Sequence, residues 1–457
     1  MQGIKGMMIG LCWLALAAPA FGQDLKAMEQ RLKDQDRRIA QLENAASDSR
    51  LKEAQKDEVI KLINEMNADA AKKTAAAPSW LKDLKFSGDL RLRYEGQTWS
   101  ETDGTGGTEK KSRNRPRFRL RFGFEKSFLD KDLTVGFRLA SGASNDLGSI
   151  NGAKNTFSGG PLGQDPTTTN QTFTDNFSRK PIWIDLAFVK YEPKTIKGLT
   201  IVGGKMANPF FCTDMVWDPD VNPEGFWAQY EVQCLGPVKP FVNTGYFMLN
   251  EIQQGFDTTM AGYQAGVKWD INQDVNFTTA LAYYDYSHLE ADLTNSTLTN
   301  AKANGNHVVN KLLAAQAFRV FNWTTKVTVK AFGVPITPYF DLARNCGDED
   351  PSVGFDDQNT AFAVGFQVGE NKKKGDWSFG YKYARIEANS VVGAFTESDF
   401  GFANTKGHVW RVAYNLADFL TIGANVFFTQ PVTTDTAAKL FDDERAVTVQ
   451  ADLIWKF

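Results

Sequence analysis

In the stretch RNRPRFRLRFGFEK, residues 113–126, an arginine stands at every odd position from Arg113 to Arg121. From residue 118 onward the even positions are Phe118, Leu120, Phe122 and Phe124. A two-residue period is the period of a β-strand, so this segment predicts a strand with one guanidinium face and one hydrocarbon face. The sheet of a water-soluble protein has no need of such contrast. A strand with lipid on one side and water on the other does. An arginine facing lipid near the bilayer midplane costs about 2–4 kcal/mol, so three of them would cost roughly 6–12 kcal/mol, which rivals the whole stability of a domain. The arginines must therefore face an aqueous interior. A one-residue slip would invert every side chain, so the row also fixes the register.

The neighbouring segment repeats the pattern: in GDLRLRYE, Asp89, Arg91 and Arg93 alternate with Leu90, Leu92 and Tyr94, and Arg138 in TVGFRLASG extends the row to a third strand. Arg91, Arg93, Arg115, Arg117, Arg119, Arg121 and Arg138 are thus expected to line a pore. They read either as a cationic wall that attracts and orients solutes or as lumen solvation with Arg–Asp pairing along the wall.

The two-residue period runs from Leu84 to Phe457, through segments such as IWIDLAFVKYE (182–192), AGYQAGVKWDI (261–271), DWSFGYKYARIE (376–387) and AVTVQADLIWKF (446–457). Short connections (Leu129–Lys131, Pro193–Gly198, Gly236–Pro237, Asn371–Gly375, Ala417–Asp418) alternate with long ones at 97–112, 142–180, 208–225, 287–321, 388–405 and 430–443. That alternation is the pattern of an antiparallel transmembrane β-barrel with short periplasmic turns and long outer loops. The count is about sixteen strands, with fourteen or eighteen as alternatives. The least defined pair spans 322–345, where Pro335 and Pro338 are read as a turn. Trp183, Tyr191, Trp227, Trp269, Trp377, Tyr381 and Trp410 fit aromatic girdles, although each alone could be a core aromatic.

The third long connection, NPFFCTDMVWDPDVNPEGFWAQYE (208–231), carries Asp214, Asp218, Asp220 and Glu224. Folded inward, it would oppose the arginines, narrow the pore and set a transverse field. The alternatives are turn caps around Pro219 and Pro223, or chance calcium ligation.

The N-terminus differs. Residues 1–22 have Lys5, an apolar core around Met7–Ala18, and Ala20 and Gly22 at −3 and −1 from Gln23, the features of a cleaved secretory signal. The apolar core is too short to span a bilayer as a helix. Residues 23–74 form the next unit. From Asp24 onward it lacks Gly, Pro and aromatic residues, and Leu25, Met28, Leu32, Ile39 and Leu42 recur at heptad spacing, slip through Ala45–Arg50, and resume at Val59, Leu62 and Met66. This predicts an imperfect periplasmic coiled coil, or else a solvated helical spacer. Residues 75–83, with Pro78, read as the linker and 84–457 as the barrel.

Three cysteines follow the signal segment (Cys212, Cys234, Cys346), so at most one disulfide can form, and the sequence does not choose its pair. His288, His307 and His408 are scattered. No metal site, cofactor or catalytic constellation is expected, hence no enzyme. A net charge of −3 argues against nucleic acid as a partner.

Taken in order, the signal segment, the heptads, LKFSGDLRLRYEG, RNRPRFRLRFGFEK, MANPFFCTDMVWDPDVNPEGFWAQYE, GDWSFGYKYARIEANSVVGAFTESDFG and the terminal LIWKF resemble the "putative porin" family of Gram-negative outer membranes. The resemblance implies a sixteen-stranded, homotrimeric barrel embedded in outer-membrane lipid and passing small hydrophilic solutes and ions. It also implies a third loop bent into the lumen opposite an arginine ladder. A C-terminal strand ending in Trp455 and Phe457 would be read by the barrel-assembly machinery. On this reading the leading function is passive diffusion with a preference for anions. The alternatives are a substrate-specific channel for phosphate or a carboxylate, and an envelope tether in which the coiled coil reaches peptidoglycan. A wall-binding module like those of some family relatives is not expected before the heptads, which counts against direct attachment to the wall.

Overall fold

The computed structural model describes residues 83–457 apart from 103–107, 143–165, 175, 253–254, 290–303, 310–311, 314–317, 348–357 and 434–444. Residues 1–82 form a separate unit. In it only Arg37 and Lys61 are described, both helical and exposed. The expected signal peptide, the coiled coil apart from these two residues and nearly all of the linker lie outside the described residues.

Sixteen antiparallel strands close on themselves. They are β1 (Leu84–Thr102), β2 (Thr108–Phe128), β3 (Leu133–Ser141), β4 (Ile182–Tyr191), β5 (Leu199–Lys205), β6 (Glu224–Glu231), β7 (Val238–Asn250) and β8 (Thr258–Asp270). The second half comprises β9 (Val275–Ser287), β10 (Arg319–Ala331), β11 (Val334–Asn345), β12 (Thr360–Gly369), β13 (Trp377–Ile386), β14 (Thr405–Ala417), β15 (Leu420–Pro431) and β16 (Ala446–Lys456). Each strand pairs with the next in sequence, and β16 returns to β1 from Asp89↔Lys456 to Trp99↔Ala446. A closed ladder leaves no edge within the hydrocarbon, which is the only way a sheet can span a bilayer. The three cysteines are free thiols, so no disulfide braces the barrel.

The strand phase follows the arginines. Arg93, Arg117 and Arg119 are buried on the inner side, while Phe86, Tyr94 and Phe122 are exposed on the outer side. Phe86 stacks on Phe122 at 6.0 Å and meets Phe124 edge-on at 6.4 Å, which makes a continuous phenylalanine surface.

Four details depart from the sequence reading. The connection expected at 97–112 is mostly strand, because β1 continues to Thr102 and β2 starts at Thr108 in unbroken register. Alternation persists there in polar residues, which a search for apolar periodicity passes over. The turn near 335–338 lies instead at Phe332–Gly333, whose φ values are +55° and +77°, as a two-residue hairpin of the right-handed twist requires. Pro335 and Pro338 belong to β11, and the β10–β11 ladder lapses between Lys326↔Tyr339 and Val329↔Ile336, where Pro338 has no N–H to donate. Among the girdle candidates, Trp269, Trp377 and Trp410 are exposed on the outer face, but Trp227 is buried inside. Trp183 also turns inward, opposite the buried Ala140, and donates Nε1–H to the Gly142 carbonyl at 3.0 Å.

The interior is not an open water column: the third long loop turns inward, and a later loop joins it. Loop 206–223 and loop 387–404 fold inward and build an apolar core against one half of the wall. It includes Phe210, Met215, Trp217, Val392, Phe400 and, from the wall, Tyr284 and Phe427. Trp217 stacks on Phe395 at 5.3 Å and Phe210 meets Tyr284 edge-on at 5.1 Å. Gly262 on β8 makes room for this: a Cβ there would lie 2.4 Å from the Phe210 ring.

Closure ends at the last residue. Gly88 N–H donates to the Phe457 carbonyl (2.8 Å) and Phe457 N–H returns to the Gly88 carbonyl (3.1 Å). Deleting Phe457 removes this final pair, and it is expected to leave export intact while lowering the fraction of heat-modifiable barrel on semi-native gels. An unchanged fraction would show that the terminal pair is dispensable.

Candidate pore constriction

The register of β1 against β2 sets an electrostatic problem. Arg91 lies directly opposite Arg119, and Arg93 opposite Arg117, and like charges at directly opposed positions repel. The same register places Asp89 opposite Arg121 and Glu95 opposite Arg115, so each acid can serve two arginines. Asp89 accepts from Arg119 (2.9 and 2.7 Å) and from Arg121 (2.6 Å). Glu95, fully buried, accepts from Arg115 (2.5 Å) and Arg117 (3.1 Å).

Other elements supply the rest. Arg93 forks onto Asp452 of β16 at 2.7 and 2.8 Å and also reaches Asp399 of loop 387–404 at 2.9 Å. Arg138 pairs with Asp185 at 2.5 Å, and a bulge makes this possible. Arg138 opposes Leu186 and Leu139 opposes Ile184, so Asp185 is the extra residue and turns inward beside Leu186. Arg121 approaches Asp220 at 3.7 Å. Arg91 alone of the seven has no carboxylate within ion-pair distance among the described residues. Its guanidinium donates to Asn170 at 2.6 Å, and its Nε–H is buried without an acceptor.

Loop 206–223 crosses the lumen on a series of polar anchors. Gln264 of β8 brackets Phe211, accepting its N–H (3.0 Å) and donating to its carbonyl (2.9 Å). Asp341 of β11, completely buried, accepts the N–H and hydroxyl of Thr213 at 2.9 and 2.6 Å together with Asn322 and Thr324 from β10. Asp214 then joins Glu397 in a four-charge cluster with Lys382 of β13 (2.7 Å to each) and Arg411 of β14 (3.1 and 2.6 Å). Beyond it, Asp218 accepts the N–H groups of Asp220 and Ser398. Asp220 accepts the N–H and hydroxyl of Thr169, and Asn222 donates to Asp185 at 2.6 Å. Loop 387–404 is itself pinned from above by Asn306, which donates to the carbonyls of Ala388 and Val391 and accepts from Gly393 N–H.

The structure therefore brings together all seven predicted arginines, but with different acids from those expected. Of the four loop carboxylates only Asp220 approaches the arginine wall. Asp214 lies across the lumen on Lys382 and Arg411, and Asp218 caps the turn and the neighbouring loop. Glu224 is not in the pore. It opens β6 in the outward phase of Phe226 and Tyr230, pairs with Lys205 at 2.8 Å and is largely exposed. The acids that neutralise the wall (Asp89, Glu95, Asp185, Asp399, Asp452) sit mainly on the wall itself, because an adjacent strand can offer a carboxylate at fixed register and a loop cannot. Strand parity would have found Asp452 and Glu95. Nothing in the spacing of TESDFG marks Asp399. Asp218 lies in the loop, outside the spanning strands. Burial and the nearby carboxylates of Asp220, Glu397 and Asp399 push it up to about 9, against the backbone N–H of Asp220, which lowers it.

Below the four-charge cluster is a cavity of about 250 Å³ lined by Tyr339, Lys382, Arg411, Thr421, Asn425 and Asp452 among others. The anchor at Asp341 is the one most open to test, since it alone ties the loop to β11. Asp341→Ala would strand the N–H and hydroxyl of Thr213, at a cost of about 1–3 kcal/mol for each buried group left unpaired, while Asn322 keeps the Leu342 carbonyl and Thr324 keeps Asn322 as acceptors. The expected result is a larger and noisier single-channel conductance than wild type, with the heat-modifiable barrel retained; equal conductance would show that the Asp341 contact does not set the bore.

None of the curated proteins matches the chain in sequence. Among solved structures the chain is similar to OprB of Pseudomonas putida at high pH, with 13% identity over 82% of this chain and 94% of that chain and a TM-score of 0.49. It is also similar to OmpF of Salmonella typhi in complex with daunomycin (10% identity, 82% and 97% covered, TM-score 0.47) and to OprB of Pseudomonas putida at low pH (11%, 82% and 93%, TM-score 0.46). The family described as "Putative porin" matches residues 105–314 and 295–438, which together take in β2 through β15. By that match, and by the closed sixteen-stranded wall described above, the chain belongs to this porin family and is an outer-membrane channel of the Gram-negative envelope.

Proposed function

We propose that the channel passes small hydrophilic solutes by passive diffusion, with a weak preference for anions. The observation that carries this reading is the charge count along the arginine wall and in the four-charge cluster facing it. The seven arginines meet Asp89, Glu95, Asp185, Asp220, Asp399 and Asp452, which leaves one guanidinium in excess. Lys382 and Arg411 cancel against Asp214 and Glu397. Asp218 is neutral at pH 7 because its pKa is raised to about 9. A single surplus cation, Arg91, biases the field without closing it to the opposite sign. The apolar core of loops 206–223 and 387–404 supports a narrow bore, so small solutes suit it better than large ones. The heptad seam of residues 23–74, too narrow to stabilise a lone helix, supports association of several copies. Insertion through the barrel-assembly machinery fits the aromatic terminus.

A tenfold potassium chloride gradient across a planar bilayer tests the charge preference. Wild type is expected to show an anion-selective reversal potential, and Arg91→Gln to reduce it by about half or more. An unchanged potential would mean that Arg91 does not set the selectivity. The pH dependence follows from the raised Asp218. That group is uncharged below about 9 and becomes an anion above it. Anion preference should therefore decline between pH 7 and pH 10 in wild type and stay flatter in Asp218→Asn, so parallel profiles would remove Asp218 from the account.

A further inference from the structure

The outer ends of β11 to β14 carry cations on the lipid-facing phase. Arg344, the penultimate residue of β11, opposes Thr360 at the start of β12. Arg385, penultimate in β13, opposes Phe362 on one side and Lys406 on the other. Directly opposed residues share a face, and Phe362 lies on the outer one, so Arg385 and Lys406 do too. Arg344 is exposed and Lys406 half-buried. Neither makes an ion pair among the described residues. Arg385 is held by Glu387 at 3.0 Å, and Glu387 also accepts the Thr360 N–H. The cluster thus has two cations in excess, spread over three inter-strand spacings, roughly 14 Å.

The level of this cluster is fixed by what lies beneath it. Tyr383, two residues below Arg385, packs on Phe362 at 5.9 Å; Phe340, four below Arg344, meets Trp323 at 5.6 Å; and Trp410, four below Lys406, is exposed on the same face, an aromatic band of the kind that marks the membrane–water boundary. The cations stand just above it, at headgroup height. Elsewhere on the rim the outward pair Lys205–Glu224 is neutral, so the rim is not uniformly basic.

We propose that this sector binds an outer-leaflet lipid whose headgroup carries phosphate monoesters, with Arg344 and Lys406 each taking a phosphate oxygen and Arg385 bridging between them. Free guanidinium and ammonium groups at headgroup height attract anionic lipid by about 1 kcal/mol each, and guanidinium adds paired N–H donors suited to phosphate. The aromatic band beneath supplies a surface for the acyl chains.

The test uses the full chain, folded in neutral detergent micelles doped with diphosphoryl lipid A or with phosphatidylcholine, and bound lipid is counted by native mass spectrometry. Wild type should retain lipid A selectively. The double variant Arg344→Gln with Lys406→Gln should bind it about tenfold or more weakly, while the charge-conserving pair Arg344→Lys with Lys406→Arg keeps most of the binding. The control pair Lys205→Gln with Glu224→Gln should bind as wild type does. Equal retention of lipid A by the double glutamine variant overturns the proposal. So does equal retention of phosphatidylcholine by wild type, or an equal loss in the control pair.

Discussion

The structure depends on the intolerance of hydrocarbon for charge. Because side chains alternate across a strand, a segment that crosses the bilayer with arginines at every second position has one permissible phase. That phase puts Arg91 against Arg119 and Arg93 against Arg117 on the inside, so acids must be interleaved with them. Asp89 and Glu95 come from β1 itself, Asp452 from the strand that closes the barrel, Asp185 from a bulge in β4, and Asp399 from a loop more than 300 residues further along the chain. Removing one partner from a buried pair costs far more than the pair contributes. The acids therefore belong to the wall as firmly as the arginines do. The closing β1–β16 seam is also ion-paired, since Arg93 and Asp452 sit directly opposite in its register.

The lumen divides by chemistry. One side is the ion-paired wall of β1 to β4 and β16, with segment 166–174 leaning on it through Asn170, which accepts from Arg91, and the Thr169 carbonyl, which accepts from Ser141. The other is filled by two loops whose apolar faces bury Met215, Trp217 and Phe400 against β5 to β15. A hydrophobic core in this place stabilises the loops as it would in a water-soluble protein, and the polar anchors at Gln264, Asp341 and Lys382 fix their pose. The polar side keeps one guanidinium, that of Arg91, with no carboxylate within ion-pair distance among the described residues.

Much of this was legible in the residues. The alternation of RFRLRFGF with GDLRLRYE fixed the inside and outside of β1 and β2 without ambiguity, because both faces were extreme. The order of short and long connections gave the sixteen strands. Legibility failed where a face was not extreme. The polar outer halves of β1 and β2 looked like a loop, and Pro335 and Pro338 looked like a turn although the strand accommodates them. Trp227 looked like a girdle residue although its neighbours Phe226 and Tyr230 already occupied the outer phase. The pairing of the constriction could not be read at all from Asp214, Asp218 and Asp220, since a loop has no periodicity to say where its carboxylates point. Which acid meets which arginine was settled by the bulge at Asp185 and by loop 387–404, and neither leaves a mark in one sequence.

The anchors of loop 206–223 lie far along the chain: Gln264 is 53 residues from Phe211, Asp341 is 128 from Thr213, Lys382 is 168 from Asp214, and Ser398 is 180 from Asp218. Contacts of such long sequence separation form late, after the intervening chain is in place. The narrow passage therefore waits on β14, while the β1–β16 seam, whose Arg93–Asp452 pair spans 359 residues, waits longer still. The internal baffle can thus be set before the cylinder shuts, so the wall closes around a passage already shaped.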